Sequence, residues 1–444
     1  MNDVYETFMK ALRDILQTKL RPLVGLLPKR VQPLHMPARV TPQRAILRRA
    51  PVDISDDLAQ TLLQISCPDP TTEDKLRDGH IAMGQRLARQ ERWGELSALI
   101  RKSDIGRNMT PGAMPAADLL AYGARADVVL AVEHALFDGS PPSDAPLLAG
   151  IEALEHVLAE HEGDPVISSI VAQSHMDIGW AWRGTGWDAE IPDRNHAAFA
   201  AHFDRAGDIL SPFCPNTLQS PLLAASCCAL LGGTDAGRRR VADRYEALID
   251  LNPQNPRPMR AMGNHLLPRW YGSYKELELE AHRTAARVME TWGAGGYTWV
   301  MFDAISFDDE ACANLDLTFF IEGLRDILAR HSDPYTVNLL ASYCANAIGQ
   351  VYSGDDRADH NRKVIAGCAR WIIRDHMTEL HPMVWAHAAQ GFDNSLHVRS
   401  PANFADSGRK DAMRIITRLF SREIAAGKRV VFTESGPEAM AGGA

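Results

Sequence analysis

His156, Glu160 and His161 fall within six residues of one another, and His175 and Asp177 follow in the next helical stretch. Imidazole and carboxylate are the side chains with which proteins hold zinc, iron or manganese and activate water. The spacing argues against a shared metal site. His156 and His161 are five residues apart, which turns them about 140° from each other on a helix. There is no H-E-x-x-H, the pattern that would put two imidazoles on one helical face. Solvated helix faces are the simpler reading of these five residues; a metal-dependent hydrolase built on them is the alternative.

Two other groups could bind rather than catalyse. Trp182, Arg183, Arg269 and Trp270, with Trp180 and Trp187 nearby, join aromatic rings to guanidinium groups. Such a set makes a ligand pocket by stacking and anion pairing. It also makes inter-helix packing in which arginine satisfies helix-end carbonyls, and packing is the expectation. The second group is a row of cations, Lys410, Arg414, Arg418 and Arg422, with Arg409 beside the first. A four-residue spacing places the row along one side of a helix, opposite Met413, Ile416, Leu419, Phe420 and Ile424. The row is either a solvated face or a docking surface for an acidic protein, anionic lipid or nucleic acid. Overall acidity and the lack of a nucleic-acid-binding motif disfavour the last.

The net charge is −9, unevenly spread. Residues 1–50 hold ten Lys/Arg against three Asp/Glu, so an arm with a surplus of seven positive charges precedes an acidic body. Val4, Tyr5, Phe8, Met9, Leu12, Ile15, Leu16 and Leu20 give an amphipathic helix over 3–20, and six prolines interrupt the basic stretch up to Pro51. This helix suits peripheral membrane contact, a partner's groove, or capping of the helical body. Nothing in the chain approaches the ~20 apolar residues of a transmembrane span, and the N-terminus lacks the apolar core of a secretory signal.

Phosphate-binding, dinucleotide-binding and nucleophile-elbow motifs are missing, so no cofactor is expected. Gly293 to Gly296 follows no strand and reads as a turn. Phe302 to Glu310 lacks calcium-loop spacing. The seven cysteines form no C-x-x-C pair and suit buried free thiols in a reducing cytoplasm.

Helical periodicity runs from Ile54 to about Phe392, with predicted helices that include 73–90, 92–103, 116–137, 146–161, 165–183, 194–211, 274–291, 309–330, 335–352, 359–376 and 379–390. Ser273 with Glu276 forms a capping box. Arg429 to Thr433 is the best strand, and one short strand makes no sheet. Three stretches share a plan of helix, polar residue with proline, helix and closing aromatic; Pro165, Pro256 and Pro334 are the matching breakers. That plan fits helical hairpins of TPR scale.

The segments Ala181-Trp182-Arg183-Gly184, LLPRWYGS at 266–273 and WGAGGY at 292–297 resemble an uncharacterised bacterial group of TPR-like proteins with a Leu-Pro-Arg-Trp-Gly-Gly-Ser core. Tyr271 stands where that core has glycine. The resemblance covers roughly residues 165–347. It implies a helical-repeat fold and carries over no activity and no catalytic residue.

The expected molecule is therefore an all-α, TPR-like solenoid: a basic arm (1–50), a helical array (51–392), and a loop, basic helix and flexible tail (393–444). The expected function is non-catalytic binding of a protein or peptide partner.

Overall fold

The computed structural model describes residues 61–136, 147–184, 191–233, 241–270, 272–390 and 400–441. The basic arm and its helix at 3–20 lie outside them, as does Trp187. The described chain is mostly helical with few strands. It divides into two compact units, one of residues 76–258 with Arg269 and Trp270, the other of residues 61–75, 259–268 and 272–441.

The first unit is assembled around one helix. Its elements are α1 (Thr72–Arg89, entering at Leu76), α2 (Trp93–Ile105), α3 (Ala116–Leu136), α4 (Ala149–Glu160), α5 (Pro165–Arg183), α6 (Asp193–Leu210), α7 (Pro221–Ala229) and α8 (Val241–Leu251). Helix α5 packs against α2, α3, α4, α6 and α7, and 14 of its 19 residues are buried. Its start is fixed locally. Asp164 accepts from the N–H groups of Val166 (2.8 Å) and Ile167 (3.3 Å), and Pro165 takes a position where its missing N–H costs nothing. Asp104, buried near the end of α2, accepts from Ser220 Oγ (2.5 Å) and Leu222 N (2.9 Å) at the start of α7.

In the second unit, helix α9 (Arg257–His265, within this unit from Met259) leads to α10 (Tyr274–Arg287), α11 (Gly295–Phe307), α12 (Leu317–Arg330) and α13 (Pro334–Ser342). A π-helical turn, Tyr343–Ile348, continues α13, followed by α14 (Asp356–His376), α15 (Pro382–Gln390) and α16 (Pro401–Leu419). The Ser273 cap forms as expected, its side chain accepting from Glu276 N. Helix α11 was not anticipated. Gly293 makes the expected turn with φ 58°, but the helix begins two residues later and 11 of its 13 residues are buried.

From Ser400 to Ala441 the chain forms the expected basic helix and then, in place of the expected flexible tail, a short helix (Ser421–Ala425) and a hairpin. Strands β2 (Lys428–Thr433) and β3 (Gly436–Ala441) pair antiparallel, and β1 (Leu63–Gln64) joins β2 in parallel, Leu63 opposite Val430. This corrects the expectation that one strand would stand without a sheet. The partners come from a non-local segment of two residues and from a Gly-Pro-Glu-Ala run of low strand propensity.

Candidate functional site

Helix α16 carries Lys410, Arg414 and Arg418 into solvent; the expected row is broken at Phe420, and Arg422 lies on the short helix Ser421–Ala425. Ser400 caps it and Pro401 opens it. Gly408, Ala412 and Ile416 face inward. Gly408 is required by close approach: a Cβ there would lie 2.1 Å from Pro382 O and 2.5 Å from Ala386 N of α15. The far end is held by Arg374 of α14, which donates to Leu419 O (2.6 Å), pairs with Glu423 (2.8 Å) and lies over the Phe420 ring at 4.3 Å. The inward face being buried, Lys410, Arg414, Arg418 and Arg422 are all exposed. Lys410 pairs with Asp406 at 2.6 Å and Arg414 with Asp411. Among the described residues no carboxylate pairs with Arg418 or Arg422, so the positive field is strongest at that end of the row. Arg418 also sits in the last helical turn, where a cation favours the helix dipole.

A second polar constellation is sealed inside the first unit. Glu155 of α4, His175 of α5, and His202 and Arg205 of α6 are all buried, at 5%, 0%, 1% and 5% exposure. Arg205 grips Glu155 through Nε and Nη2, both at 2.7 Å. His175 Nε2 lies 2.9 Å from Glu155 Oε1, and His175 Nδ1 lies 2.9 Å from His202 Nδ1. A carboxylate only accepts, so His175 Nε2 carries the proton; in the neutral ring its Nδ1 then accepts from His202 Nδ1–H. Burial holds both rings below their ordinary pKa, His202 well below, with the neighbouring His175 adding to the effect. Burial alone would raise the Glu155 carboxyl, but the hydrogen bonds from Arg205 and His175 outweigh it and hold it at about 2. No member can reach a substrate in this arrangement. What the set does is lock α4, α5 and α6 together.

This relay sets a pH dependence. A histidine whose folded pKa lies below its unfolded value of 6.5 binds fewer protons folded than unfolded. Its stabilising contribution is whole above 6.5 and is lost as pH falls below that. Glu155, depressed from 4.5 to about 2, has the same sign: its contribution of about 3 kcal/mol is whole above 4.5 and is lost between 4.5 and 2. The urea midpoint of the first unit, read by hydrogen exchange at α5 and corrected for intrinsic rates, should fall steadily from pH 7 to about 4. A midpoint that stays level would contradict it.

The structure separates the five residues considered as metal ligands. His156 and Glu160 are exposed on α4, and His161 is half-buried at its C-cap. His175 is inside, and Asp177 pairs with Arg125 at 2.6 Å. Among the described residues no three His, Cys, Asp or Glu side chains are placed to hold a metal ion. The residue that meets His175 is Glu155, one position before His156. Trp182 is buried at 2%, with the Arg194 guanidinium 5.5 Å from its ring, and offers a ligand no open face. Arg183 is also buried and donates to Gly184 O at the end of α5 (3.1 Å). Arg269 and Trp270 are half-buried.

Scans against protein-family models, curated proteins and solved structures match nothing to this chain.

Proposed function

We propose that this protein is a non-catalytic, cytoplasmic adaptor of TPR-like helical hairpins that binds an acidic protein or peptide segment through the cation row of α16 and the short helix that follows it. The observation that carries the reading is the row itself: Lys410, Arg414 and Arg418 exposed on α16, whose opposite side is anchored, and Arg422 exposed on the short helix that follows, with Arg418 and Arg422 outside any ion pair among the described residues. Electrostatic complementarity of this kind steers encounter and sets specificity. Two helix pairs joined through Asp-Pro, at Asp164-Pro165 and Asp333-Pro334, support the hairpin assignment and the likeness to the Leu-Pro-Arg-Trp group. All seven cysteines are free thiols, which supports a reducing compartment.

Titration of a fluorescent glutamate-rich peptide against the full chain tests the reading. Affinity should fall as salt rises. Arg418→Glu with Arg422→Glu should weaken binding about tenfold or more, from roughly 0.7 kcal/mol or more per surface charge. Binding indifferent to both salt and the double substitution would overturn the reading.

A further inference from the structure

The second unit also contains a pocket that none of the readings above uses. It measures about 460 Å³, within the ~300–1,000 Å³ typical of small-molecule sites. Leu63, Leu380 and Phe432, all buried, form its floor, and Ile65 and Met413 its flanks. Its walls are fixed by backbone: Leu63 and Gln64 pair with Val430 and Val431, and Leu380 N donates to Ser66 O at 2.8 Å. The site is therefore preorganised. Arg409 lines it from α16, four residues before Met413 and next to the first cation of the row. Among the described residues Arg409 is the single charged lining group, and no carboxylate pairs with it.

Gln64, Ser66 and Cys67 line the pocket beside these apolar side chains, so it takes a small body with both apolar and polar groups. One guanidinium offers two parallel N–H donors, the geometry of a carboxylate. No second cation is present to balance a phosphate dianion. Cys67 lies in the lining; burial, with the nearby Asp69 and Glu379 carboxylates, pushes its thiol pKa up against the opposing charge of Arg409. From the cavity, its mixed lining and its one cation we infer that this pocket binds a small organic acid carrying a single carboxylate, with Arg409 as the carboxylate partner. The inference does not depend on the adaptor reading.

Calorimetric titration of the full chain with octanoate, 1-octanol and octyl phosphate tests it. Octanoate should bind about ten- to a hundredfold more tightly than octanol, as a hydrogen bond to a charged group allows. Arg409→Gln should bring octanoate down to the octanol level with an unchanged melting temperature, since Arg409 is exposed. Octanoate should also slow iodoacetamide labelling of Cys67 while leaving the exposed Cys214 unaffected, which places the ligand. Equal binding of acid and alcohol, an unchanged preference in Arg409→Gln, or unprotected Cys67 would overturn the proposal. Octyl phosphate binding more tightly than octanoate would overturn the single-charge assignment.

Discussion

Arg205→Met is expected to destabilise the first unit by about 3–5 kcal/mol, the range for removing one partner of a buried ion pair. The side chain lost is of similar length, so little cavity forms. What changes is that Glu155 keeps only His175 as a hydrogen-bond partner within the set, in a place that water does not reach. Its carboxyl must then be buried less well compensated, or take up a proton. Glu155→Gln combined with Arg205→Met removes the charge but keeps an amide oxygen facing His175 Nε2. The double variant should be more stable than Arg205→Met alone, because the pair is coupled. Urea unfolding followed at the α5 amides compares wild type, Glu155→Gln, Arg205→Met and the double variant. Independent, additive effects would show that the four side chains do not act as one set.

Asn338→Leu is expected to cost the second unit roughly 2–6 kcal/mol, from two buried donors left unbonded, His381 N and Trp385 Nε1, at about 1–3 kcal/mol each. Asn338 is fully buried on α13 and uses both ends of its amide. Its Nδ2 donates to Pro334 O (2.8 Å) and Glu379 O (2.9 Å), while its Oδ1 accepts from His381 N (3.0 Å) and Trp385 Nε1 (2.9 Å). Leucine fills the volume and satisfies none of these. The segment Glu379–His381 that it anchors includes Leu380, part of the apolar pocket floor. Asn338→Leu should therefore lower the thermal midpoint of the second unit and raise hydrogen exchange at Leu380 together. A stable protein with a protected Leu380 amide would show that the amide is dispensable.

Where local chemistry marks an element, the sequence reading and the structure agree. Helix α5 was placed at both ends because Asp164-Pro165 is a start signal that needs no tertiary context. Three of the four cations were legible because their four-residue spacing is a property of α16, whereas the break at Phe420 that puts Arg422 on a separate short helix was not. Helix α11 was not, since a helix buried on every side has no amphipathic period and this one begins at Gly295-Gly296. The sealed relay left a trace that was passed over. Ile151, Leu154, Glu155 and Leu158 occupy the i, i+3, i+4, i+7 stripe of α4, so Glu155 stands where an apolar residue belongs. His202 and Arg205 intrude likewise among Ala198, Phe199, Ala206 and Ile209 of α6. Charged residues in an apolar stripe signal a buried partner, whereas the adjacent His156 drew notice only as a metal-ligand type. The pocket had no such trace, because residues near 63, 380, 409 and 432 meet only in the folded chain.

Interior ionisable groups thus hold the helices together, and binding is proposed at the surface of α16 and the short helix that follows it. Crosslinking followed by affinity capture and mass spectrometry from the native cell tests that assignment most directly, comparing the wild-type chain with Arg418→Glu/Arg422→Glu. The predicted result is a stoichiometric partner, crosslinked through an acidic segment to α16 and lost in the reversed variant, whose melting temperature is unchanged. A partner captured equally by both proteins, or crosslinked elsewhere, would contradict it.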